Sequence, residues 1–203
     1  MEVTNVKNTK KHEAVVSISE NDSILFSYKN NSIYVSVIKN GVWSEPEKMT
    51  RKVNKGGYQN HISLAPDNKT LYFAANRVFK STNRGDDWLT ISPDLTREID
   101  RNELEVMGQV WSMDAVMKNA STTIYGNIVA MDESPKKQGL LYAGTDDGLI
   151  QISENGGNSW TKYNSFVGVP PNTRVNQIHA SPTDENIVYA IFNNHRAGDF
   201  KPY

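Results

Sequence analysis

The stretch GNIVAMDESPKKQGLLYAGTDDGLIQISENGGNSWTKY, from Gly126 to Tyr163, decides the fold. It contains four short runs rich in Val, Ile, Leu and Tyr, separated by clusters of Asn, Asp, Gly, Ser and Pro. Apolar runs of this length between turn residues predict consecutive antiparallel strands joined by tight turns. We place these strands near Asn127–Met131, Leu140–Gly144, Leu149–Ser153 and Trp160–Tyr163.

The same pattern recurs along the chain. Earlier copies run from His12 to Pro46 and from Asn60 to Pro93, and a fourth copy begins at Arg174. Trp88 lies 45 residues after Trp43. A period of about 45 residues with four strands in each copy is typical of a β-propeller blade. The sequence therefore predicts an all-β fold of about four four-stranded blades, which form part of a larger propeller.

Two segments depart from the repeat. Trp88 and Trp160 are 72 residues apart, so an insertion lies between the second and third copies, near residues 95–124. Its apolar residues are only loosely helical in spacing, and we predict a long loop with one helix. Residues 1–11 are predicted to be either a tail or a closing strand for the fourth copy.

The composition argues against several classes of function. The 203 residues include 22 basic and 23 acidic side chains, whereas a nucleic-acid-binding surface needs an excess of Lys and Arg. The chain has no cysteine and four histidines, none paired at i, i+4 spacing, so we expect no metal site and no cofactor. It contains no run of about 18 apolar residues and no signal peptide, so we expect no membrane insertion.

Two copies carry the motif Ser-x-Asn-x-Gly-x-x-Trp, from Ser81 to Trp88 and from Ser153 to Trp160. Ser and Asn side chains hydrogen-bond neighbouring backbone groups in a hairpin, Gly supplies a positive φ and Trp packs as an anchor. We assign these structural roles to Ser81, Asn83, Gly85, Trp88, Ser153, Asn155, Gly156 and Trp160.

This motif resembles the Asp-box, or BNR, repeat of sialidases and sortilin-like receptors, with Asn where the family usually has Asp. Residues 76–203, including the insertion, resemble bacterial sortilin-like propeller proteins often labelled glycosyl hydrolases, in stretches such as ESPKKQGLLYAGTDDGLIQISENGGNSW. Residues 12–75 instead resemble the WD-like repeats of TolB-type and OmpA-associated envelope proteins, in HEAVVSIS, SIYVS and NGVWSEPEKM. The resemblances imply a periplasmic or extracellular protein whose Asp-box motifs lie away from the ligand-binding cleft.

We expect from these resemblances a propeller that recognises a peptide, a protein or a glycan, or that serves as a scaffold. Its partners would then also include neighbouring propeller blades or further copies of the chain. Aromatic faces and amide groups bind both sugars and peptides. The candidate ligand-binding residues of this kind are Trp111, Tyr125, Asn127, Asn194 and His195.

The alternative is a glycoside hydrolase. A sialidase needs an arginine triad that binds the substrate carboxylate, and no such triad can be assigned among the seven arginines. A polysaccharide-cleaving enzyme needs two carboxylates, for which the candidates are Asp132 and Glu133 after the first strand of the third copy, and Asp146 and Asp147 in its GTDDG turn. The GTDDG sequence is more typical of a structural two-residue hairpin with Asp-Gly at its centre, because Asp-Gly is the commonest short-range hairpin signal.

Overall fold

The computed structural model describes residues 13–19, 22–30, 32–49, 62–83, 85–116 and 126–203. The regular structure in these ranges is β, apart from two short 3-10 turns at Arg101–Glu103 and His195–Ala197. No helix in the ranges is long and apolar enough to span a membrane. The strands form antiparallel sheets in which, with one exception in the first sheet, neighbours in the sheet follow one another in the chain, as the predicted blades require.

The contacts between residues divide the chain into two units. Unit 1 comprises Met1–Phe73 and Val78–Ile91, and unit 2 comprises Ala74–Arg77 and Ser92–Tyr203. The first sheet of unit 1 consists of β1 (Glu13–Ile18), β2 (Ile24–Lys29), β3 (Ser32–Lys39), β4 (Val42–Trp43) and β5 (Glu47–Lys48). The next sheet consists of β6 (Ile62–Leu64), β7 (Leu71–Ala74), β8 (Val78–Ser81) and β9 (Leu89–Thr90).

The outer strand of the first sheet is interrupted. Both β4 and β5 pair with β3, and the residues between them leave the ladder at Pro46. Proline has no backbone N–H to donate, so an outer strand of a sheet tolerates it only where a ladder hydrogen bond is missing. The two short strands therefore act as one broken fourth strand. Counted in this way, the sheet has four strands, which is the number predicted for each blade.

The core of unit 1 receives side chains from both of its sheets. Phe26 and Ile33 come from the first sheet, and Ile62 and Leu71 from the second. Trp88 packs against this cluster, and its indole meets the Phe73 ring edge-on at 6.2 Å between centroids. The side chain predicted to be an anchor therefore contacts the core of unit 1.

In unit 2 the four strands predicted for the third copy are confirmed to within two residues. They are β10 (Ile128–Glu133), β11 (Leu141–Thr145), β12 (Ile150–Ser153) and β13 (Thr161–Tyr163), and they pair in that order. The fourth copy supplies a second sheet made of β14 (Arg174–Ala180) and β15 (Val188–Asn193).

The prediction of a helix in the insertion is wrong for the part of the insertion that the structure describes. Residues 95–116 contain one three-residue 3-10 turn and an isolated bridge between Val106 and Gln109, and residues 117–125 lie outside the described ranges. Met107 is 95% exposed and Val110 59%, so the loosely spaced apolar side chains do not form the buried stripe that holds an amphipathic helix in place.

The sheets of unit 2 approach closely because β11 has a glycine at the contact. A Cβ added at Gly144 would lie 2.5 Å from Cγ1 of Val175 and 2.9 Å from Cδ1 of Ile178, both on β14. Around this contact the buried cluster combines Tyr142 and Ile150 of the β10–β13 sheet with side chains of the β14–β15 sheet. The absence of a side chain at Gly144 therefore determines how near β14 lies to β11.

The insertion starts with a polar turn around Asp94. The N–H and the Oγ1 of Thr96 donate to one carboxylate oxygen at 2.9 and 2.7 Å, and Nδ2 of Asn76 donates to the other at 2.6 Å. Burial by itself would raise the pKa of Asp94, but these hydrogen bonds and the positive charge of Arg77 outweigh it. The pKa of Asp94 therefore lies below its ordinary value of 3.8.

Adding a methyl group at Gly144 should destabilise unit 2. We expect Gly144→Ala to lower the free energy of unfolding by about 1–3 kcal/mol, because Val175 is stiff and cannot move away. The same substitution in a Val175→Ala background should cost less, because the nearest methyl group is then gone. Urea unfolding of the four variants measures this coupling, and fully additive costs would contradict the close contact.

The low pKa of Asp94 gives a pH dependence. A carboxylate whose pKa is lower in the folded state stabilises that state above the unfolded pKa, and this contribution is lost as pH falls through the folded pKa. We expect the carboxyl group of Asp94 to titrate below pH 3.8 when followed by carbon NMR. Thr96→Val should raise that midpoint by removing one donor, and an unchanged midpoint would show that the Oγ1 hydrogen bond is not formed.

Candidate ligand-binding site

Strands β10 and β14 lie beside each other and run in the same direction. Near the end of β10, the Asp132 carboxylate accepts a 2.8 Å hydrogen bond from the N–H of Ala180, the last residue of β14. Near the start of β14, Val175 contacts Gly144, whose cross-strand partner on β10 is Ala130. The start of β10, the β11–β12 hairpin and the start of β14 therefore share one end of unit 2, which we call the strand-start end.

The residues that follow β15 also lie at the strand-start end, because Asn193 pairs with Arg174 in the antiparallel ladder. Six polar residues that the loops of unit 2 bring to this end are Asn127, Asp146, Arg174, Asn194, His195 and Arg196. Three of them, Asn127, Asn194 and His195, are among the predicted ligand-binding residues. The opposite end carries the β10–β11 and β12–β13 connections.

The GTDDG turn is one residue longer than predicted. Thr145 donates its N–H to the carbonyl of Leu149 at 2.9 Å, and three residues lie between them, ending with Gly148 at φ +82°. A Cβ added at Gly148 would lie 2.7 Å from the backbone carbon of Asn172. The turn therefore has the three-residue form with glycine in the left-handed conformation, which also allows the β13–β14 loop to pack against it.

Asp147 serves a structural role in this turn. Its side chain is fully buried, and its carboxylate accepts hydrogen bonds from Oγ1 of Thr145 and, at 2.7 Å, from the N–H of Arg97. The Arg97 side chain in turn donates to the carbonyl of Asp147 at 2.7 Å. Asp147 therefore joins the insertion to the hairpin across 50 residues of sequence, and its oxygens already have donors.

Asp146 binds the residue that precedes β10. Its carboxylate accepts the N–H of Asn127 at 2.9 Å, and its own N–H donates to the carbonyl of Asn127 at the same distance. This pair extends the β10–β11 ladder by one step beyond Ile128. The backbone of Asn127 is thereby fixed, while its side chain is exposed at the strand-start end.

Asp132 and Glu133 lie at the opposite end and bind backbone N–H groups there. Besides Ala180, the carboxylate of Asp132 contacts Nδ1 of His179 at 3.5 Å. Glu133 is buried, and its carboxylate accepts the N–H of Gly139 at 2.7 Å. Both carboxylates therefore hold the β10–β11 connection and the neighbouring strand in place.

The four predicted carboxylates do not form one acid pair. The turn with Asp146 and Asp147 and the end of β10 with Asp132 and Glu133 are separated by the length of β10, which is roughly 15 Å at ~3.3 Å for each residue. Glycoside hydrolases hold their two carboxyl groups about 5–10 Å apart. In the described ranges, no three His, Asp or Glu side chains are close enough together to hold a metal ion.

The two Ser-x-Asn-x-Gly-x-x-Trp turns have the same hydrogen bonds. Ser153 accepts the N–H of Gly157 at 2.8 Å, Asn155 accepts the N–H of Ser159 at 2.9 Å, and the indole of Trp160 donates to the carbonyl of Gly157 at 3.1 Å. In the earlier turn the corresponding partners of Ser81, Asn83 and Trp88 are at 2.8, 2.8 and 3.1 Å.

One assignment in this motif needs correction. Gly156 has a positive φ of 70°, as expected, but the residue that corresponds to Gly85 is Gly157. Gly85 and Gly157 donate their N–H groups to the motif serines and have similar φ values of 93° and 99°. The consecutive glycines in the later copy explain the shift by one residue. Both turns follow the third strand of their sheets, and in unit 2 this places the turn at the end opposite Asn127.

Arg174 is a residue that the sequence analysis did not select. It is half-buried at the start of β14, and its guanidinium forms no hydrogen bond with the described part of the chain. Burial lowers the pKa of Arg174, the charge of Arg196 lowers it further, and the charge of Asp146 raises it. Its place at the start of the first strand of a copy, close to that of Asn127 directly before β10, is the sequence signal that could have identified it.

The other predicted ligand-binding residues have different surroundings. Trp111 in the insertion is 45% exposed, and its indole donates to the carbonyl of Val106 at 2.8 Å. Nδ2 of Asn194 donates to Asp199 at 3.4 Å, and the exposed His195 ring lies 5.1 Å from that of Phe200. Tyr125 lies outside the described residues.

A small cleft lies next to the start of β14 and has Thr173 in its wall. It has a volume of about 60 Å³ and is lined by the residues before β14, by Gly148 and by Phe192, which is opposite Val175 in the ladder. Phe166 forms another wall and lies 4.8 Å from Phe192 between ring centroids. Val169, Pro170 and Pro171 complete its apolar lining. Asn164, Ser165, Asn172 and Thr173 also line the cleft, so its walls are both apolar and polar.

No protein-family model matches the sequence, and no curated protein matches it. Among solved structures, YCF48 from Cyanidioschyzon merolae is 10% identical and superposes with a TM-score of 0.50 over 94% of this chain and 50% of that chain. A GH74 enzyme from Niastella koreensis is 16% identical, with a TM-score of 0.47 over 88% of this chain and 27% of that chain. The RRP9 WD40 repeats are 12% identical, with a TM-score of 0.46 over 85% of this chain and 43% of that chain.

These neighbours are β-propeller proteins, and the likeness to YCF48 places the chain in the same fold class. The chain spans half or less of the length of each neighbour described above. Together with the four-stranded antiparallel sheets, this confirms the predicted all-β class with propeller blades.

Replacing Asp147 by an amide should weaken unit 2. Asn offers one oxygen where two donors, from Thr145 and Arg97, now meet two oxygens, so one buried donor loses its acceptor. We expect Asp147→Asn to lower the free energy of unfolding by about 1–3 kcal/mol in urea titrations. Asp184→Asn is the control, because only one oxygen of the exposed Asp184 accepts hydrogen bonds from Asn186. Equal effects of the two substitutions would contradict the assigned role.

Proposed function

We propose that the chain is a binding module of the β-propeller class, and that it recognises a peptide, protein or glycan at the strand-start end of unit 2. The observation that carries this proposal is the partly buried residue Arg174, whose guanidinium has no hydrogen bond to the described residues. A guanidinium presents several donors in a planar fork, so one that has no acceptor among the described residues is suited to bind a ligand. The exposed side chains of Asn127 and His195 at the same end support it.

The glycoside hydrolase alternative has less support in unit 2. All four carboxylates proposed for it accept hydrogen bonds from backbone N–H groups, and the two pairs lie at opposite ends of β10. A general acid must instead be free to exchange a proton with the substrate. The neighbours include both GH74 enzymes and WD40 proteins, so the fold class itself agrees with either reading.

The sequence motifs extend the proposal to a class of protein and a compartment. The two Ser-x-Asn-x-Gly-x-x-Trp turns have the hydrogen bonds expected of an Asp-box motif, which supports a relation to sortilin-like propellers. On that basis we propose a periplasmic or extracellular setting. It would place the site where peptides and glycans outside the cytoplasm can reach it.

The test compares binding and hydrolysis on the full chain. Fluorescently labelled protein is applied to a defined peptide array and a defined glycan array, and the same protein is incubated with aryl glycosides and xyloglucan. We expect hits on one array, a loss of those hits in an Asn127→Ala, Arg174→Gln variant, and no release of aryl alcohol or reducing sugar. Lys162→Gln, an exposed substitution on β13, serves as the control and should leave the hits unchanged.

Three results would overturn the proposal or the location that it gives for the binding surface. Hydrolysis that disappears in Asp146→Asn would favour the enzyme alternative. Arrays without hits, combined with concentration-dependent oligomers in light scattering, would favour a purely structural repeat whose partners are copies of itself. Hits that persist in the double variant would move the binding surface away from the strand-start end.

A further inference from the structure

We propose that the outer edge of β15 pairs with the same strand of a second copy of the chain, so that two copies join through an antiparallel ladder centred on Tyr189. Three features of β15 support this pairing: outward backbone N–H groups without an acceptor among the described residues, a lack of charge, and an apolar face that is complementary to itself. The edge in question begins at Val188, which is opposite Ala180 at the end of β14, and so lies away from the strand-start end.

The backbone of β15 is paired on one side. Within the described part of the chain, β15 pairs with β14, and the N–H of Phe192 points to the other side, where it donates to the carbonyl of Tyr203 at 3.0 Å. N–H groups alternate in direction along a strand of an antiparallel pair. The N–H groups of Val188 and Ala190 therefore point outward like that of Phe192, and neither has an acceptor among the described residues.

The sequence of β15 does not protect this edge. Natural proteins usually protect an exposed edge with a very short strand, with charged side chains, Lys above all, or with proline. The outer strand of the neighbouring sheet, β13, has two of these features, because it is three residues long and contains Lys162. In contrast, β15 is six residues long, and residues 186–194 contain no charged side chain and no proline. Its edge is therefore suited to pair with another strand.

The side chains around β15 divide between two faces. Val188 and Ala190 pack against the core of unit 2. On the other face Tyr189 and Ile191 are 59% and 51% exposed, and Ile187, directly before the strand, is 42% exposed. These three apolar side chains form a stripe along the strand, and a second strand with the same pattern would extend it across the pair.

The outward N–H groups select one register for the pairing. A twofold axis at Tyr189 places Val188 opposite Ala190 of the second copy, so that both outward N–H groups of each copy gain an acceptor. An axis at Ala190 would instead place Val188 opposite Phe192, whose N–H is already bound to Tyr203. The register centred on Tyr189 ends before Phe192 and leaves that hydrogen bond in place.

The same register matches the exposed side chains. Tyr189 lies opposite Tyr189 of the second copy in a non-hydrogen-bonded pair, the type in which cross-strand side chains are closest. Ile187 lies opposite Ile191 of the second copy. Apolar residues therefore meet apolar residues at each exposed position. A strand pair of this length buries less surface than a permanent interface, so we expect a reversible dimer.

The test measures association and its location on the full chain. Sedimentation velocity at increasing protein concentration should show a monomer–dimer equilibrium. We expect the N–H groups of Val188 and Ala190 to exchange with solvent rapidly in dilute protein, followed by NMR, and to exchange ~10-fold or more slowly once most of the protein is dimeric. The N–H groups of Tyr189 and Ile191 point toward β14 and should be protected at both concentrations.

Variants test the centre of the ladder. Tyr189→Lys places two positive charges opposite each other and should raise the dissociation constant of the dimer by ~10-fold or more. Tyr163→Lys is the matched control, because Tyr163 is an exposed tyrosine on β13, and should leave the constant unchanged. Ala190→Pro removes an outward N–H without removing a hydrogen bond to β14, and should also weaken the dimer. Urea unfolding identifies any variant whose loss of pairing comes from misfolding.

Several results would overturn this pairing. A chain that stays monomeric at every concentration would do so, as would a Tyr189→Lys dimer as strong as that of the unmodified chain. Slow exchange of Val188 and Ala190 in the dilute monomer would show that another part of the chain, such as the closing strand predicted in residues 1–11, already covers the edge. Protection of both N–H groups by a peptide from the array, in a chain that stays monomeric, would assign the edge to a foreign strand.

The pairing and the proposed function fail separately. A monomeric chain whose array hits depend on Asn127 would exclude the pairing and leave the binding function. A dimer that Tyr189→Lys disrupts, in a chain without array hits, would support the pairing and overturn the binding function.

Discussion

The close contact of Gly144 with Val175 is the constraint on which the arrangement of unit 2 depends. A side chain at position 144 would occupy the space of the Val175 methyl groups, so β14 could not lie where it does. This contact places the start of β14 beside the β11–β12 hairpin. The approach of Arg174 to Asp146, and the position of the cleft, both follow from it.

Buried carboxylates in this chain act mainly as acceptors for backbone donors. Asp147 binds the N–H of Arg97, and Glu133 binds that of Gly139. Turns and insertions present N–H groups that no ladder satisfies, and a carboxylate at a strand end supplies the missing oxygen. The Asp and Glu side chains near the turns therefore help to hold the blades together. The guanidinium of Arg174, in contrast, has donors without an acceptor among the described residues.

The sequence predicted the strands of the third copy and both Ser-x-Asn-x-Gly-x-x-Trp turns, because these features depend on residues a few positions apart. It did not predict the bond between Arg97 and Asp147, because their partnership crosses 50 residues and an insertion without periodicity. Of the residues in the proposed site, Asn127, Asn194 and His195 were among the predicted ligand-binding residues. Arg174 was missed because an arginine at a strand start is ordinary in sequence and acquires its character from burial beside a second arginine.

The most direct test of this account is the distance between β11 and β14 in solution. A nuclear Overhauser spectrum of the full chain, with methyl-labelled valine, reports proton pairs closer than about 5 Å. The account predicts strong cross-peaks between the Hα protons of Gly144 and the methyl groups of Val175. Well-resolved signals from both residues without such cross-peaks would show that the two sheets do not pack in this way.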